Sequence, residues 1–103
     1  MGCDSQDSCI EVGSNGEFGT NHLEKLELVS NFVDELGFRM PPEDVAAILG
    51  TAYAASQLEG GQAGVPVRIC FRQGSPNETE YRVLSLANKP LVDWRSSAGF
   101  QTP

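Results

Sequence analysis

The chain has 103 residues, a formal net charge of −7, and 40% apolar and 20% charged residues. That describes a single globular domain rather than a disordered segment. Its acidity argues against direct nucleic-acid binding, which depends on basic patches. No apolar run approaches the ~18 residues that span a bilayer, so no membrane association is expected. Met1-Gly2-Cys3-Asp4-Ser5-Gln6 lacks the regions of a secretory signal and fails the myristoylation pattern at Gln6. Three cysteines, Cys3, Cys9 and Cys70, are an odd number. Reduced thiols in a cytoplasmic protein are the simplest expectation. The charge is also lopsided: residues 1–44 carry net −8 and residues 45–103 net +1.

Residues 1–19 are rich in Gly, Ser, Asp and Asn, with no periodicity beyond the patch Cys9-Ile10-Glu11-Val12. They read as a flexible N-terminal arm with at most one brief ordered piece. Cys3, Cys9 and His22 lack the tight ligand pairs of a zinc site, so no metal is expected.

A single domain is expected over 20–95, followed by a loose tail at 96–103. Its first helix is expected at 21–36, with Asn21 as N-cap and Glu24 completing a capping box. Leu23, Leu26, Val29, Val33 and Leu36 recur at helical spacing, and Leu28 and Phe32 widen the stripe. Gly37 supplies a left-handed stop. On the opposite side Glu24, Glu27, Asn31, Asp34 and Glu35 fall within an arc of about 100° at ~100° per residue.

Pro41-Pro42-Glu43-Asp44 opens a second helix, with proline and carboxylates in its first turn. Val45, Ile48, Leu49, Ala52 and Ser56 form its apolar face, while Ala46, Gly50 and Ala54 form a strip of small residues. Gly50 weakens the helix and predicts a break near Leu49-Gly50-Thr51. Gly60-Gly61-Gln62-Ala63-Gly64 is a link. Because it precedes a strand rather than a helix, it is not a phosphate-binding loop.

Val65, Val67, Ile69 and Phe71 then alternate with Pro66, Arg68, Cys70 and Arg72, and a second strand runs through Tyr81–Leu86. Placing Phe71 opposite Tyr81 sets Ile69 against Val83 and Arg72 against Glu80, so apolar meets apolar and charge meets countercharge. Leu91-Val92-Asp93-Trp94 extends the sheet as a short third strand, with Pro90 favouring its edge. The class is α+β: two or three N-terminal helices packed on a small antiparallel β-hairpin or three-stranded sheet. So small a sheet leaves a free edge, which predicts a homodimer.

Phe18-Gly19-Thr20-Asn21-His22-Leu23-Glu24-Lys25-Leu26-Glu27-Leu28-Val29, followed by Leu36-Gly37-Phe38-Arg39-Met40-Pro41-Pro42-Glu43-Asp44, resembles the second-helix region of acyl carrier proteins. The resemblance covers residues 18–49 and implies an acidic recognition helix for basic partner enzymes. His22 stands where the family has its phosphopantetheine serine, and Asn21 where it has aspartate. Histidine cannot form that phosphodiester, so the resemblance brings a docking helix without carrier chemistry or cofactor. The family's first helix has no counterpart in the arm, and the hairpin is foreign to its four-helix bundle.

The functional expectation is a small non-catalytic interaction module that docks a basic protein surface through Glu24, Glu27, Asn31, Asp34 and Glu35. The alternative is a binding protein or enzyme for an anionic small molecule, with a pocket between helices and sheet built from Arg68, Cys70, Arg72, Tyr81 and Arg82. In that alternative, guanidinium groups beside Cys70 would favour its thiolate. Trp94 is the only tryptophan and is expected to pack over a sheet edge.

Overall fold

The computed structural model describes residues 8–13, 22–38, 40–61, 64–74 and 79–96. The elements follow in the order β1 (Ser8–Val12), α1 (His22–Glu35), α2 (Pro42–Gly60), β2 (Val67–Gln73), β3 (Thr79–Ser85) and β4 (Pro90–Ser96). The four strands form one antiparallel sheet in the order β1-β2-β3-β4. The class is α+β, but a fourth strand precedes the helices. Part of the expected arm, Ser8–Val12, is that strand, and it pairs with β2 so that Ile10 faces Ile69 and Val12 faces Val67. Five residues in a polar context carry too little periodicity to announce a strand; its partner lies more than fifty residues away. Of the expected tail, Ser96 closes β4, while residues 97–103, the remainder of the expected arm and Asn21 lie outside the described residues.

The α1 helix ends in a Schellman arrangement. Gly37 adopts φ 84, its N–H donates to the Asp34 carbonyl at 3.0 Å, and the Phe38 N–H donates to the Val33 carbonyl at 3.2 Å. Pro41 caps α2, its carbonyl accepting from the Asp44 and Val45 N–H groups at 3.0 and 3.2 Å. The expected break at Gly50 is absent, for α2 runs unbroken over 19 residues. Burial of Val45, Ile48, Leu49, Ala52, Ala55 and Ser56 along one side supplies more than the ~1 kcal/mol that a helical glycine costs.

Both helices lie on one face of the sheet. Val29 and Val33 of α1 and Val45, Ile48, Leu49 and Ala52 of α2 share the core with Val12, Val67, Ile69, Phe71, Tyr81 and Val83. Phe32 of α1 meets Phe71 with ring centroids 6.2 Å apart. The β2–β3 register is the expected one: Phe71 opposite Tyr81, Ile69 opposite Val83, and Arg72 opposite Glu80. β3 ends at Ser85 rather than continuing through Leu86, because the Ser85 hydroxyl accepts from the Ala87 and Lys89 N–H groups and turns the chain into β4. β4 occupies the far edge, with two register irregularities against β3. Among the described residues, no helix is long and apolar enough to cross a membrane.

Candidate functional site

The acidic ridge stands on the outer side of α1. Because Val29 and Val33 anchor that helix to the core, the residues opposite them must face water. Glu24, Glu27, Asn31, Asp34 and Glu35 are all exposed. Two leucines assigned to the apolar stripe join them: Leu23 is 77% and Leu28 50% exposed. At ~100° per residue, Leu23 lies about 20° beyond Asp34 and Leu28 about 20° beyond Glu35, so the pair brackets the carboxylates. The buried stripe is thus narrower than the sequence suggests, and the exposed face is both acidic and apolar. The side chain of His22, where α1 begins, lies outside the described residues.

Of the five residues of the alternative pocket, Arg68, Cys70, Arg72 and Arg82 share one sheet face and Tyr81 does not. Arg68, Arg72 and Arg82 occupy the sheet face opposite the helices, alternating with core residues Val67, Ile69, Phe71, Tyr81 and Val83. Tyr81 is fully buried beneath the helices, on the other side of the sheet. The space between helices and sheet is filled by the apolar core, not by an arginine-lined pocket. The error lay in joining Tyr81 to residues one position out of phase with it, because successive strand residues point to opposite faces.

Cys70 is not a free thiol. It is fully buried and disulfide-bonded to Cys9, its register partner across β1 and β2. The expectation of reduced thiols is therefore overturned for these two residues, while Cys3 lies outside the described residues. Opposite-strand placement is what permits the bond, and nothing local at Cys9 or Cys70 discloses it.

The arginines already have partners. Arg72 Nε donates to Glu80 Oε1 at 2.7 Å. Arg68 Nη1 donates to Asn88 Oδ1 at 2.8 Å. Trp94, on the edge strand β4, packs on this face. The Arg72 and Arg82 guanidinium carbons lie 4.1 and 4.8 Å from its ring centroid. This face reads as a ladder of cations, carboxylates and one indole.

The two candidate surfaces therefore sit on opposite sides of a two-layer α+β protein: an acidic, leucine-bracketed helix face and an arginine–tryptophan sheet face. No family model matches the chain, and no curated protein or solved structure matches it.

Proposed function

We propose that the chain is a small non-catalytic interaction module that docks a basic protein surface through the outer face of α1. The observation that carries this reading is the pair Leu23 and Leu28, exposed on either side of Glu24, Glu27, Asn31, Asp34 and Glu35. A docking face uses apolar anchors for affinity and charges for steering and register. The resemblance of residues 18–49 to the acidic recognition helix of acyl carrier proteins supports the same reading, although a four-stranded sheet is foreign to that bundle.

The partner surface expected is lysine- and arginine-rich with an apolar groove. The cytoplasmic setting depends on reduced thiols. With Cys9 and Cys70 bonded, an oxidising compartment suits the chain better.

The test is capture from native lysate at low and high salt, with wild type beside Glu27→Lys/Asp34→Lys. A partner retained at low salt, released at high salt and lost from the variant supports docking through this face. Equal capture by both proteins, or capture by neither, overturns it.

A further inference from the structure

We propose that the Cys9–Cys70 bridge is a thiol–disulfide exchange site, opened at Cys9 by a low-molecular-weight thiol and serving as a latch on the edge strand β1. The bridge is asymmetric. Cys9 is exposed, whereas Cys70 is fully buried. An attacking thiolate coming from solvent therefore meets the Cys9 end of the bridge.

The leaving side is built for negative charge. Arg68 and Arg72 flank Cys70 two residues away on the same face of β2, and Arg82 is its register partner on β3. Among the described residues, strand register places two carboxylates on this face, Glu11 opposite Arg68 on β1 and Glu80 bonded to Arg72. Burial disfavours a thiolate at Cys70, and three guanidinium groups against two carboxylates oppose that penalty.

In the first step the small thiolate bonds to Cys9 Sγ and the bond between the two protein sulfurs breaks. Its electron pair leaves on Cys70 as a thiolate, giving a mixed disulfide at Cys9. A second thiolate then attacks the small-molecule sulfur of that mixed disulfide and releases Cys9. Two small thiols are oxidised to one disulfide, the protein disulfide is reduced to two thiols, and the protons lost by the small thiols end on Cys9 and Cys70.

Opening removes the only covalent tie between β1 and β2 that the described residues contain. β1 has five residues and one strand neighbour, so it is the element with least to hold it afterwards.

The test uses the full oxidised chain and reduced glutathione, with free thiols trapped by iodoacetamide and sites located by peptide mass mapping. The expected result is glutathione on Cys9 and the trap on Cys70. Opening should slow about threefold in Arg82→Gln and recover in Arg82→Lys. Circular dichroism establishes that both variants are folded, and Arg68→Gln with Arg68→Lys provides a second pair should the first not fold. In the reduced protein, hydrogen exchange should quicken across residues 8–12 and at the β2 amides that face β1, and stay slow across β3. Glutathione on Cys70, opening rates insensitive to the arginine charges, a bridge that reacts only after denaturation, or unchanged exchange in β1 would each overturn the proposal.

Discussion

Gly50 and Gly60 sit ten residues apart in α2 and should respond to alanine in opposite directions. A Cβ at Gly50 meets nothing within 4 Å, and the residue is exposed in a helix interior. Gly50→Ala should therefore raise stability by about 1 kcal/mol, through helix propensity and a less free unfolded chain. A Cβ at Gly60 would overlap the Val65 side chain. Gly60→Ala should cost roughly 1–3 kcal/mol, and Val65→Ala in the same chain should recover part of it. Urea melts of the four proteins check both statements. The exposed leucines give a third prediction at this scale. Leu23→Ser/Leu28→Ser should leave the unfolding midpoint nearly unchanged, because surface substitutions stay within about 0.5 kcal/mol each, yet weaken partner capture. A large stability loss would place those leucines in the core and remove the argument for docking.

Among the elements, β1 depends most on a distant partner. The bridge closes a separation of 61 residues. Chain entropy then assigns it up to about 4 kcal/mol, so Cys9→Ser/Cys70→Ser should lower stability markedly in denaturant melts. A change under ~1 kcal/mol would mean that the ladder to β2 holds β1 without the covalent tie. The helices illustrate what an element's own residues disclose. The extent of α1, its stop at Gly37 and the buried side of α2 were legible from spacing and end chemistry. The pairing of β2 with β3 followed from matching Ile69 with Val83 and Arg72 with Glu80. The break at Gly50 was misjudged because a local helix penalty was weighed without the burial that tertiary packing adds. Leu23 and Leu28 were misassigned for a related reason. Spacing shows which residues share a helix side, but not how much of that side the sheet and α2 cover.

At the scale of the molecule, the sheet that the described residues form has two edges, β1 and β4. The β4 edge carries Pro90 and two irregularities, features that discourage strand addition. A homodimer formed by edge pairing should therefore use β1. The Cys9 and Cys70 Cα atoms are 3.9 Å apart, nearer the spacing of a non-hydrogen-bonded pair than of a hydrogen-bonded one. Glu11, two residues on, then directs its N–H to the free edge. Glu11→Pro should abolish a concentration-dependent dimer in sedimentation velocity while leaving the β1–β2 ladder intact. A dimer that survives this change does not use β1.

The sequence by itself determined the first helix, the buried side of the second, the strand register of the central hairpin, the α+β class and the concentration of acids on one side of α1. These follow from periodicity and end chemistry, which each segment carries within a dozen residues. Only the tertiary structure decided that Ser8–Val12 joins the sheet, that Cys9 bonds Cys70, that Tyr81 parts company with the arginines, and that Leu23 and Leu28 remain in water. Each of those depends on which surfaces meet across long stretches of chain, and burial, unlike periodicity, is a property of the pair of surfaces rather than of either one.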